Sequence, residues 1–227
     1  LLEQQLTPGS NGFMLDVGCG TGGNLKLLGR WGNTIGIDLN PVALNYARCR
    51  NLPRLAQASG LALPYPNNVF GLVTAFDVLY HCWITDDCQA IEECYRVLQP
   101  GAWLLLTDPA LPGLWSTHDE VYYTRERYLL SDIRQKLADA GFEPCLCSYT
   151  NMLLLPIFTA VRLVSRCFPS TRKVDQQPLP VWLNQWLINI RHLETRWLRR
   201  GSTLPLGSSL ICLAQKPPQT KEYINET

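Results

Sequence analysis

From residue 13 to about residue 150, short apolar runs alternate with segments of helical periodicity, the pattern of a parallel sheet flanked by helices. The runs predict strands over 13–17, 34–37, 72–76 and 103–107, with a weaker one over 55–58. Helices are expected over 23–29, 41–50, 86–98 and 131–140. Pro41 suits a first helical turn and Gly141 a helix stop. A sixth strand is expected over 143–149 and a closing strand over 208–214. The fold class is therefore α/β.

About 55 residues separate the last two strands. There, Trp182, Leu183, Trp186, Leu187, Ile190, Leu193 and Trp197 recur at helical spacing. Gln185, Asn189, Arg191, Glu194 and Arg196 fall on the opposite face. This predicts an amphipathic helix with its Trp-bearing face packed inward. Residues 152–168 are apolar nearly all round, apart from Arg162, Ser165 and Arg166, which implies burial, pairing with that helix or contact with lipid. The expected organisation is a core over 1–150, a helical insert over 151–205, a closing strand within 206–216 and a tail over 217–227.

Composition narrows the function classes. A chain of 227 residues suits one core with an elaboration. A net charge of +1 without a Lys/Arg run gives no footprint for nucleic acid. Nine cysteines, an odd number without repeated CxxC spacing, suggest neither a disulfide framework nor a zinc site, and point to a reducing cytoplasm. The run 152–161 is broken by Pro156 and followed by Arg162, too short to span a bilayer. The chain opens at Leu1, not Met, so a lid supplied by preceding residues stays open as a question.

Chemistry concentrates after the first strand, in Met14-Leu15-Asp16-Val17-Gly18-Cys19-Gly20-Thr21-Gly22-Gly23. Glycines let the backbone turn sharply and let a ligand approach closely. Gly18, Gly20 and Gly23 also satisfy the GxGxxG spacing of a dinucleotide site. Asp16 favours another ligand: a carboxylate there repels a pyrophosphate, whereas it suits a ligand bearing an ammonium and a sulfonium. Asp38, ending the second strand, can accept hydrogen bonds from two ribose hydroxyls under either reading, and Leu39 can cover an adenine face.

With these motifs in order, followed by ALPYPNNVFGLV, DVLYH, RVLQPGAWLLL and LADAGF, residues 13–150 resemble the class I S-adenosylmethionine-dependent methyltransferases, in particular the ubiquinone/menaquinone methyltransferase-like group. The resemblance implies a Rossmann-like, mostly parallel sheet of seven strands with helices on both faces, the last strand antiparallel. It implies S-adenosyl-L-methionine as cofactor and S-adenosyl-L-homocysteine as product. Carried over by position, Asp16, Gly18, Cys19 and Gly20 contact the methionine portion, Asp38 and Leu39 the ribose and adenine, Ser59 and Gly60 the adenine edge, and Phe76 and Asp77 the region of the reacting methyl. Ser59 stands where the family often has an acid, Gly71 where it usually has Asp, and Tyr80 where a glutamate is common.

Methyl transfer from a sulfonium is an in-line displacement promoted mainly by alignment, while a hydroxyl acceptor also requires a base. His81 is the first candidate base, with a backbone-bonded helix-start residue as its alternative. His118 beside Asp119 is the second, with a solvated turn as its alternative. Tyr80, Tyr122 and Tyr123 are candidate substrate contacts, and Tyr128 follows in the same aromatic cluster. Asp86 and Asp87 read as a helix start, not as metal ligands. The expected acceptor is an O or N atom of a small organic molecule of specialised metabolism. A polyprenyl or lipid-linked acceptor, a non-catalytic cofactor-binding module and a nicotinamide oxidoreductase are the rivals. The insert is the expected place for homodimer or peripheral membrane contact.

Overall fold

Strand pleating explains how one sheet buries both its faces. In the computed structural model, which describes residues 2–6, 12–50, 52, 54–160 and 180–219, Met14, Leu72, Leu105 and Leu213 pack with Trp31 and Leu28 on one face. Their neighbours Leu15, Val73, Leu104, Leu106 and Cys212 pack on the other, against Ile91 and Cys94 of one helix and Ile133 and Leu137 of another.

The strands are β1 (Phe13–Val17), β2 (Asn33–Asp38), β3 (Leu55–Gln57), β4 (Phe70–Phe76), β5 (Leu98–Pro109), β6 (Glu143–Thr150) and β7 (Ser209–Gln215), in the order β3-β2-β1-β4-β5-β7-β6. The first five pair in parallel, and β7 runs antiparallel to both β5 and β6. Helices of the core are α1 (Leu2–Gln5), α2 (Leu25–Leu28), α3 (Pro41–Arg48), α4 (Asp87–Val97), α5 (Thr117–Val121) and α6 (Leu130–Asp139).

Boundaries shift where local chemistry overrides periodicity. α2 starts two residues later than expected, after a run of turn residues that includes Gly22 at φ +77°. β5 begins at Leu98 because Leu98 already pairs with Phe70, ahead of an irregularity at Gly101, φ +80°. Asp86 caps α4, accepting from the Gln89 amide at 3.1 Å.

The insert contributes helical residues 155–160 and α7 (Val181–Arg199); residues 161–168 of the apolar segment and 220–227 of the tail lie outside the described residues. α7 corrects the expected orientation. Trp182, Trp186, Leu193 and Trp197 are exposed, whereas Leu198 and Glu194 are buried. The cause is local: Glu194, assigned from sequence to the polar face, accepts the backbone amides of Asn151 and Leu153 at 2.8 and 2.7 Å and so clamps α7 to the end of β6. Among the described residues no helix is long and apolar enough to cross a membrane.

Gly36 of β2 shows how tightly the loop after β1 is packed, since a Cβ there would stand 2.7 Å from Cys19 Sγ and 2.8 Å from Leu25 Cδ1. Gly36→Ala is expected to cost about 1–3 kcal/mol, read as a lowered denaturation midpoint; an unchanged midpoint would show that the loop yields freely.

Candidate functional site

β1 ends in a turn that only a residue without Cβ accommodates. Gly18 has φ +67°, and a Cβ on it would lie 2.5 Å from Val78. The turn is fixed from β2: the Asp38 carboxylate accepts the Gly20 amide through Oδ2 and the Asn40 amide through Oδ1, both at 2.8 Å. Asn40 in turn caps α3 by accepting from Val42 N at 2.9 Å. Each Asp38 oxygen keeps a lone pair for a further donor.

A cleft of about 240 Å³ opens above this turn, lined by Gly18, Asp38, Leu39, Ser59, Gly60, Asp77 and His81 together with Trp83 and Ile84. Seven residues singled out from sequence thus meet in one place. Ser59 Oγ accepts the Leu61 amide at 3.2 Å, so its hydroxyl proton is available to a ligand. Trp83, missed in the sequence, stacks on His81 with ring centres 4.0 Å apart, and Tyr123 stacks on both. Its only signal was an aromatic residue two positions after the histidine. Burial lowers the His81 pKa from its ordinary 6.5, against an opposing pull from Asp38.

Four residues assigned to the cofactor, Asp16, Cys19, Gly20 and Phe76, are not among the lining of the cleft. Asp16 is buried at 2% exposure, receives the Thr74 hydroxyl at 2.6 Å through Oδ1, and has no partner on Oδ2 among the described residues. Burial raises its pKa to about 7, opposed by Thr74 and reinforced by Asp38. Cys19 packs with Leu25 and Leu44, and burial pushes its thiol up to about 12. Phe76 packs in the cluster around Met14 and Leu72.

A second cavity of about 300 Å³ is lined by Asp77, Tyr80, His118, Asp119, Tyr122, Arg127 and Asn151, among others. Asp77 forms the wall shared with the cleft. Its φ is +57°, its amide donates to Thr107 O at 2.7 Å, and burial raises its pKa while Thr107 and Arg191 lower it. His118 stacks on Tyr122 at 4.3 Å. The Asp119 carboxylate, expected to tune His118, accepts from Arg127 Nε at 2.7 Å and from Ser116 N and Oγ at 2.9 and 3.1 Å. Asp119 is buried and anchors this loop. The aromatic cluster also divides: Tyr80 and Tyr122 face this cavity, Tyr123 joins the outer stack, and Tyr128 is buried with its hydroxyl on Asp87 and Leu79 O. Asp87 is held by Lys136, Arg125 and Tyr128.

Residues 15–106 match the family model described as a methyltransferase domain. A probable S-adenosylmethionine-dependent methyltransferase of Mycolicibacterium smegmatis is 32% identical over 137 residues, covering 57% of this chain and 51% of the relative. The ubiquinone/menaquinone biosynthesis C-methyltransferase UbiE of Citrobacter koseri is 34% identical over 167 residues, covering 57% and 66%. The chain carries a class I S-adenosylmethionine-dependent methyltransferase domain. The chain spans about half the length of the first of these relatives. Its fold is shared with the [4+2]-cyclase SpnF at a TM-score of 0.62 and 22% identity, over 96% of this chain and 80% of that one.

The residues of the methyltransferase domain fit the family's cofactor. Asp38 offers two acceptors to a diol, Leu39 and Ile84 offer apolar walls to a purine, and the orphaned Asp16 oxygen suits a cationic ligand. If binding favours ionised Asp16, S-adenosylhomocysteine affinity is expected to rise as pH rises towards about 7, with net proton release below it. Calorimetry in buffers of different ionisation enthalpy reads this. Asp16→Asn is expected to weaken binding and abolish the pH dependence; an unchanged proton count in the variant would assign the release elsewhere.

Proposed function

We propose that this chain transfers a methyl group from S-adenosylmethionine to an O or N atom of a small organic molecule, with Asp77 between the cofactor and the acceptor. The observation that carries this reading is the Asp77 wall shared by a cleft bearing Gly18, Asp38, Ser59 and Gly60 and a cavity bearing Tyr80, His118 and Tyr122. When bound, the cofactor supplies a methyl group activated on a sulfonium.

The protein's part is alignment and proton management. Asp38 accepts the ribose hydroxyls while it holds the glycine turn, Gly60 and Leu39 flank the adenine, and Ser59 donates to its edge. Tyr80 remains a protonated donor across the physiological range, because burial and the nearby Asp77 push its pKa up to about 12. His81 remains largely neutral at pH 7 because burial lowers its pKa, so it can take a proton from an acceptor hydroxyl. The absence of a Lys/Arg run along the sequence supports a small acceptor rather than a nucleic acid.

Incubation of the protein with isotopically labelled methyl donor and metabolite extracts is expected to label a discrete small molecule; label confined to unreacted donor across a broad extract panel would contradict transfer. With that acceptor, His81→Gln is expected to lower kcat about 10²- to 10⁴-fold with S-adenosylhomocysteine affinity kept. The wild-type rate should fall on acidification through a pKa below 6.5, and that limb should vanish in the variant. An unaltered pH profile would remove His81 from the chemistry.

A further inference from the structure

A third cavity, of about 660 Å³, lies beneath α7 on the sheet face of Leu105, Thr107 and Ile211. Its size falls within the ~300–1,000 Å³ typical of small-molecule sites. The floor and sides are apolar, from Trp31, Leu105, Leu198 and Ile211, whereas Arg30 and Arg191 bring positive charge to the wall. Both lining carboxylates are engaged: Glu194 by the Asn151 and Leu153 amides, Glu3 by Arg199 at 3.4 Å.

This cavity adjoins the site already described. Asn151 lines both it and the cavity of His118 and Tyr122, just as Asp77 lines both that cavity and the cofactor cleft. Both shared residues have left-handed backbones, φ +61° at Asn151 and +57° at Asp77, conformations uncommon outside glycine and held by their surroundings. Arg191 is near enough for its charge to act on Asp77. The three spaces therefore adjoin in series, the cleft and the second cavity across Asp77, the second cavity and the space under the insert helix across Asn151.

We propose that the methyl acceptor is an elongated, largely apolar molecule carrying an anionic group, with its reactive end beside Asp77 and its body past Asn151 under α7, where Arg191 and Arg30 receive the anion. This rests on the methyl-transfer reading for the reactive end only; the cavity and its charge stand without it. A compact acceptor would fill the second cavity alone and leave the arginines unused. The insert helix is then a specificity element, because its side chains set the length and charge of what fits.

Decanoate and the uncharged 1-decanol, both used below aggregation, are suitable probes for calorimetry on the full chain. Decanoate is expected to bind one saturable site about tenfold more tightly than decanol, the size of one charge-assisted hydrogen bond. Arg191→Gln, an exposed position on α7, should remove that preference; Thr195→Trp, which fills the cavity from the same helix, should weaken both probes at least tenfold. Thermal melts and S-adenosylhomocysteine titration on each variant show that it is folded. No saturable decanoate binding to the wild type, or affinities unchanged in both folded variants, would overturn the proposal. Decanoate binding that responds to both substitutions in a protein that fails to bind S-adenosylhomocysteine would uphold the cavity and overturn the cofactor reading.

Discussion

Parallel pairing of β1 with β4 on one side and β2 on the other is the constraint on which the site depends, because the connections leaving β1 and β4 diverge at that point and cannot cover the carboxyl ends of both strands. The crevice left there is the general ligand position of open α/β sheets. Most residues that line the cleft sit at or shortly beyond a strand end: Gly18 after β1, Asp38 ending β2, Ser59 and Gly60 after β3, Asp77 and His81 after β4. Asp38 converts this geometry into a defined surface by fixing Gly20 and Asn40 with one carboxylate.

Buried carboxylates give the region its electrical character. Asp16, Asp77 and Asp108 end or follow β1, β4 and β5, and burial raises the pKa of all three. Asp108 is fully buried, accepts the Tyr80 amide at 3.1 Å through Oδ1, and like Asp16 has one oxygen unpartnered among the described residues. A cluster of acids held in a poorly solvated place is costly when ionised, and a cationic ligand relieves that cost. By contrast, Asp87 and Asp119 are surrounded by Lys136, Arg125 and Arg127 and serve to anchor the loops that carry Tyr80, His118 and Tyr122.

The cofactor half of the site was legible because its residues lie within a few positions of strand ends, and strand ends are visible as apolar runs closed by glycine or aspartate. Asp38 follows from that rule, whereas Ser59, Gly60 and Asp77 were placed by the resemblance to the methyltransferases. Side-chain direction was less visible. The two-residue period of β1 sets Asp16 on the face of Met14, away from Leu15 and Val17, and periodicity alone does not say which face the cleft borders. The acceptor half was harder still: Asn151, Arg127 and Arg191 converge from distant segments, and the Glu194 clamp that orients α7 depends on two backbone amides no pattern exposes. Glu194 read as polar surface for the ordinary reason that a lone carboxylate on a helix faces water.

The glycine loop alone admits two classes of adenosyl ligand, and the account rests on the buried acid at Asp16 selecting one. Calorimetry with S-adenosylhomocysteine and with NADH on the same preparation tests this most directly. Saturable binding of S-adenosylhomocysteine with no measurable NADH binding is the predicted result; tight NADH binding without S-adenosylhomocysteine binding would contradict the account at its root.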